Sequence, residues 1–281
     1  MTLAKKKKVS PFRIFVSLFL ILGILMILFP MYLVLIMALK TPAETAENFF
    51  ALPESFYLGN FKAVLEKADF ITAFQNSAYI TVCSSIILVI FVPMIGYAIA
   101  RNYNHPFYRF VFILFILGMF VPFQVVMLPQ IQILQELNLM SRTGLILIYA
   151  AVSLIGNVFL MVGYIRAIPK DLEEAAYIDG ASTLRTFFFI VFPVVRPVIT
   201  TIVIMHVLFV WNDYLLPLIV LNKDKAMYTL PLFQMSLRGQ YSFDYNTTFA
   251  AYLVSILIVT VVYTVFQKQI IGGIMDGAIK N

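Results

Sequence analysis

The sequence predicts an all-α integral membrane protein of six transmembrane helices. Hydrophobic residues make up 62% of the chain and charged residues 12%. The mean hydropathy is +0.93, far above that of a soluble domain. Six charge-free windows recur along the chain, at 14–39, 70–100, 110–135, 143–165, 197–212 and 245–267. A crossing takes about 20 apolar residues. Lys and Arg also alternate from one side of the windows to the other, as cytoplasmic and outer loops require.

The first window follows the basic tract Lys5 to Lys8, which would suit the start of a signal peptide. At 26 residues it exceeds the roughly 7–15 of such a peptide. No small-x-small cleavage site follows, so an uncleaved first span is expected. The second window, 31 residues long, exceeds one crossing and implies a lead-in helix from about Phe70. Pro122 and Pro129 break the third, with Gln124 and Gln130 beside the breaks. Irregular backbone at membrane depth persists only where protein or a water-filled cavity satisfies it. The stretch 121–135 is therefore a candidate outer gate and pathway wall.

The fifth window has only 16 residues. Begun at Pro197, a span of about 20 residues reaches roughly residue 217. Asp213 then sits about one turn inside the outer boundary, where a carboxylate must face protein or water. Its neighbours Trp211, Asn212 and Pro217 suggest an interface anchor, polar helix contacts and a helix interruption. The Asp213 region, with Trp211, Asn212 and Pro217, is thus a second candidate for the outer gate and pathway wall, and a simple helix end at the interface is the alternative. His206, mid-span with no second His or carboxylate one turn away, reads as an interhelical hydrogen-bond residue. Cys83, the single cysteine, excludes an internal disulfide and reads as packing.

One side of the spans carries thirteen Lys and Arg and five acids, the other seven and nine, giving net charges of +8 and −2. The richer side is cytoplasmic, so both termini lie inside. The basic balance is thus a topology signal and implies no nucleic acid. The chain reads as a single domain over 1–281.

Between the fourth and fifth windows lies a charged island, 166–197. Pro169 suits a first helical turn, and Asp171, Glu173 and Glu174 place acids at the positive end of a helix dipole. Ala175 and Ala176 keep one face thin. Asp179 and Gly180 form a stop. Ser182 or Thr183 caps a second helix, 183–192, carrying Phe187, Phe188 and Phe189 until Pro193 ends it. An amphipathic loop lying on the membrane surface is the plainer alternative.

The island resembles the EAA loop of ABC-importer permeases: E-A-A, a glycine after three further residues, then I-x-L-P after nine more. Glu174, Ala175, Ala176, Gly180, Ile190 and Pro193 occupy those positions. Phe192 stands where Leu is usual, a change that preserves bulk. The resemblance implies the type I importer architecture with a cytoplasmic coupling-helix loop. Glu173, Glu174, Ala175, Ala176, Tyr177, Asp179, Gly180, Ala181, Ser182, Phe187, Ile190, Phe192 and Pro193 would then meet an ATPase subunit.

The run 211–220, W-N-D-x-L-x-P-L-x-x, resembles the same position in sugar-importer permeases. The ending Gly273, Gly277, Ala278 and Lys280 resembles that of maltose-type second permeases, whose tail reaches the ATPase interface. These resemblances cover about 70–281, with a shared permease core at about 70–268. The outer segments 40–69 and 222–244 would offer a further docking surface. In the second of these, Tyr228, Gln234, Arg238, Gln240 and Tyr241 suit a binding protein, or equally a solvated hairpin.

The chain has no phosphate-cradling G-x-x-x-x-G-K-[ST], no H-E-x-x-H and no Cys/His metal cluster. The resemblance therefore implies partners: a second permease in a pseudo-symmetric heterodimer, two ATP-binding subunits and an extracytoplasmic solute-binding protein. ATP and Mg belong to the ATPase subunits, and this chain binds no cofactor. A bacterial-type cell membrane is the implied location. The rival is an ion-coupled secondary transporter, which would show embedded carboxylates in two related halves. Here Asp213 is the one candidate carboxylate, and no repeat is visible.

Overall fold

A computed structural model of the chain describes residues 11–66, 68–237 and 244–278. Its helices in order are α1 (Pro11–Leu39), α2 (Pro42–Glu47), α3 (Gly59–Glu66), α4 (Ala68–Arg101), α5 (Pro106–Met119), α6 (Phe123–Glu136) and α7 (Arg142–Arg166). There follow α8 (Asp171–Ile178), α9 (Thr183–Thr186), α10 (Phe192–Asn212), α11 (Leu215–Leu221), α12 (Leu230–Ser236) and α13 (Tyr245–Ala278). No strand occurs among the described residues.

Among the described residues, four helical stretches are long and apolar enough to cross a membrane: Phe12–Leu39, Asp69–Arg101, Arg142–Arg166 and Thr183–Asn212. The pair α5 and α6 passes the same test only together, bent by 109° at its break, which would make five. The apolar part of α13, Tyr245–Val261, is shorter. Apolar side chains are exposed along α1 from Phe12 to Met31, the pattern of a helix meant for lipid or for a partner helix, and only its end, Ile36, Met37 and Ala38, is buried.

Two expectations about proline are corrected. Pro129 lies inside α6 without breaking it, and only Pro122, at the N-terminal cap, marks the bend. Pro193 does not end a short helix either. Thr183–Asn212 continues for 30 residues through a π-helical turn, Phe187–Val191. Proline stops a helix because it lacks an amide proton and crowds the carbonyl four residues back. Here the wider turn precedes it, and Pro193 occupies the opening of α10, where that proton has no required acceptor. The fifth span is therefore not short: it begins inside the charged island.

Contacts divide the chain into two units, Met1–Lys67 with Leu237–Leu257, and Ala68–Ser236 with Ile258–Asn281. In the first, two buried asparagines satisfy the carbonyls that a helix end leaves open. Asn60 Nδ2 donates to Ala38 O at 3.0 Å and Lys40 O at 2.7 Å. Asn246 Nδ2 donates to Met37 O at 2.9 Å and Lys40 O at 3.0 Å. Thr41 and Glu44 close a capping box that starts α2.

In the second unit, α4 packs most extensively on α7, with α10 against both. Leu88, Val92, Met161, Ile165, Val195 and Ile199 form the heart of this core. His206 on α10 bonds Ser84 Oγ on α4 at 2.9 Å and Ser153 Oγ on α7 at 2.8 Å, the interhelical role its mid-span position predicts.

The segment after α11 folds back onto this unit. Asn76 Nδ2 donates to Ala226 O and Tyr228 O at 2.8 and 3.0 Å, and Tyr228 and Gln234 are buried. Neither is available to a docking protein, contrary to the expectation for this loop. Arg238, Gln240 and Tyr241 lie outside the described residues, as do Lys5 to Lys8 and Lys280.

Candidate coupling loop and pathway wall

The acids of α8 stand in its first turn. The helix closes on Gly180 at φ +81°, a conformation that costs a residue with a Cβ but not glycine. Gly180 N donates to Tyr177 O at 3.0 Å and Ala181 N to Ala176 O at 2.9 Å, the paired bonds of a glycine-terminated helix. Ser182 then starts α9, its Oγ accepting from Arg185 N at 3.4 Å.

The two adjacent glutamates part company. Glu173 turns inward, where its Oε1 accepts from Arg101 Nε at 2.6 Å and its Oε2 from the Tyr97 hydroxyl at 2.8 Å. Arg101 also donates to Ile168 O at 3.3 Å. The two charged side chains are only 11% and 6% exposed, so each replaces the other's lost water. The inner face of α8 is thereby tied to the end of α4. Glu174 faces outward, with Ala175, Tyr177, Asp179 and Ser182 exposed and Ala176 buried.

Large apolar side chains also stand exposed on this loop, among them Leu172, Ile178 at 86% and Leu184. Sequence reading passed over them, although apolar residues flanking the E-A-A run were the available signal. It also missed Arg101 and Tyr97, which lie more than seventy positions before Glu173. Phe187 is buried against Tyr97, with ring centroids 5.2 Å apart, whereas Phe188 and Phe189 are exposed. Ala181, Ile190 and Phe192 are half-buried, and Pro193 is exposed. Gly273, Gly277 and Ala278 belong to the last turns of α13.

The second group gathers where α10 gives way to α11. Asp213 has left the helix, at φ −72° and ψ 131°. Its Oδ1 accepts from Leu215 N at 3.0 Å and its Oδ2 from the Tyr149 hydroxyl at 2.8 Å. The carboxylate thus holds the first amide of α11 and reaches α7. Trp211 meets Phe74 edge-on at 5.7 Å and lines an apolar cavity of about 530 Å³ with Val82, Ile86, Val203 and Val207. Asn212 Nδ2 donates to Leu208 O at 2.7 Å, and Pro217 is buried in α11. Pro122 and Gln124 are exposed at the bend between α5 and α6. Gln130 Oε1 is buried with no hydrogen-bond partner among the described residues.

Among the described residues the chain is all-helical, with long apolar helices and one long charged loop, as a membrane permease requires. It superposes on a bacterial ABC transporter involved in the import of the acidic polysaccharide alginate with a TM-score of 0.83, covering 94% of this chain and 99% of that one at 23% identity. Residues 92–273 match the family described as the inner membrane component of binding-protein-dependent transport systems. The chain belongs to that family.

It is 41% identical to the multiple sugar-binding transport system permease protein MsmG of Streptococcus mutans, over 98% of this chain and 99% of that protein. It is 34% identical to AmyC of Thermoanaerobacterium thermosulfurigenes, a probable starch degradation products transport system permease, over 90% and 91%. With MelC of Bacillus subtilis, a melibiose/raffinose/stachyose import permease, identity is 32% over 90% and 91%.

Proposed function

We propose that the chain is a permease subunit of an ATP-driven importer for a sugar or oligosaccharide. It forms half of the translocation pathway and couples it to an ATPase. The observation that carries this reading is the division of labour on α8. Glu173 anchors its inner face to Arg101 and Tyr97, while its outer face presents Glu174, Leu172 and Ile178. A short helix fixed to a span on one side and open on the other is suited to pass a push from a soluble partner into the bundle. The names borne by the relatives support a carbohydrate cargo.

On this reading a second permease completes the pathway, and two ATPase subunits bind ATP and Mg on the cytoplasmic side. A solute-binding protein delivers sugar from outside. The chain sits in the cell membrane with both termini inside. The loop around Glu174 moves when the ATPase pair closes, and the break at Asp213 and the bend at Pro122 form part of the wall that opens and shuts. The chain performs no chemistry of its own.

The test is uptake into proteoliposomes holding the whole importer, with the membrane potential collapsed and ATP supplied. Persisting uptake is expected, together with its loss when ATP is withdrawn. Uptake that follows the potential and ignores ATP would sink the proposal in favour of ion coupling.

A further inference from the structure

Within the first unit, a cavity of about 590 Å³ opens between α2, α3 and the start of α13. The volume lies inside the range of roughly 300–1,000 Å³ typical of small-molecule sites. Three aromatic rings line it: Phe49, Tyr57 and Tyr245. Phe49 and Tyr245 meet edge-on at 5.6 Å, and Tyr57 brings a further ring to the lining. The polar lining is rich in acceptors. Asn60 Nδ2 donates to backbone carbonyls and Asn246 Nδ2 to backbone carbonyls and the Thr45 hydroxyl, leaving each Oδ1 to accept. Asp244 spends Oδ1 on Thr247 N at 3.0 Å and keeps Oδ2.

Gly59 gives this cavity its shape. A Cβ there would overlap the Tyr57 ring, so the ring takes its place only because residue 59 has no side chain. Tyr57 is also held from behind, its amide donating to Leu39 O at 2.9 Å. The asparagines are buried and the Tyr57 and Tyr245 rings are half-exposed, so rigid acceptors stand behind an accessible aromatic rim.

We propose that this cavity is a carbohydrate site, which holds one pyranose or furanose unit of the cargo before it enters the pathway. Ring faces take the apolar C–H face of a sugar, and carbonyl and carboxylate acceptors take its hydroxyl hydrogens. The carboxylate and the amide oxygens, with no Lys or Arg among the described lining residues, disfavour anionic ligands. The proposal rests on the importer reading for the nature of the ligand and for the outward placement of this unit.

The experiment uses the assembled importer in lipid nanodiscs without its binding protein, and saturation-transfer NMR. The probes are raffinose, maltotriose, diacetylchitobiose and arabinotriose at millimolar concentration. Transfer to at least one sugar is expected for the natural protein. It should fall roughly fivefold in Tyr57→Ala and in Gly59→Val and survive in Tyr57→Phe, which keeps the ring. ATP-driven uptake of the same four sugars is measured separately. Uptake without transfer, or transfer equal in all variants, overturns the cavity site while leaving the importer standing. Transfer lost in the two variants without ATP-driven uptake keeps the site and sinks the importer reading. Variants that lose only the stimulation of ATP hydrolysis by the binding protein, with sugar transfer intact, overturn the site by showing that a protein side chain fills it.

Discussion

Glu173 and Glu174 are chemically identical neighbours, and the fold gives them opposite duties. The bonds of Glu173 to Arg101 and Tyr97 fill both its oxygens. Breaking a buried pair on one side leaves a charge stranded, at a cost of about 3 kcal/mol or more, whereas removing both partners relieves it. Arg101→Met should therefore lower the melting temperature of the assembled importer. Glu173→Leu added to it should restore most of the loss. A double variant no more stable than the single one would deny the pairing any structural weight. Glu174→Lys should instead leave stability unchanged while ATP hydrolysis proceeds without uptake. Normal uptake by that variant with the ATPase still bound would remove Glu174 from the coupling role. At Asp213, a change to Leu orphans the buried Tyr149 hydroxyl, costing about 1–3 kcal/mol. Asp213→Leu should slow uptake and Asp213→Asn, which still accepts that bond, should largely retain it. Equal rates in both would return Asp213 to the status of an ordinary helix end.

At the scale of elements, the turn at Gly180 and the π-helical turn Phe187–Val191 bracket α9 within the loop. Gly180 at φ +81° directs α8 away from α9, and a Cβ there costs about 1–2 kcal/mol. Gly180→Val should uncouple ATP hydrolysis from uptake without preventing insertion, read as ATPase rate against uptake rate. A coupled, fully active Gly180→Val importer would contradict a fixed loop geometry. The glycine stop was legible in the sequence because it depends on one residue and its backbone. The behaviour of Pro193 was not. Ten residues into a short helix Pro193 reads as a stop, and only the widened turn before it lets one helix run on into the fifth span.

For the whole molecule, the asymmetry of Lys and Arg sets a direction that labelling can check. With Cys83 replaced by Ser, a cysteine introduced at the exposed Ser182 should react with an impermeant maleimide only in inside-out vesicles. Reaction in right-side-out cells would reverse the topology and detach the loop from any ATPase. Apolar windows, charge placement and the spacing of E-A-A, Gly180 and Pro193 were local facts, and the sequence alone determined from them a helical membrane permease with a charged loop. Bilayer energetics act on each segment in turn, so such features survive without knowledge of neighbours. Tertiary structure alone decided which glutamate faces inward, that Tyr149 holds Asp213, that Tyr228 and Gln234 are buried, and that Tyr57 lies over Gly59. Most of those outcomes hang on partners far apart in the chain, and Tyr57 on the space its neighbours leave. A side chain's duty there is set by whatever packing brings within hydrogen-bond reach.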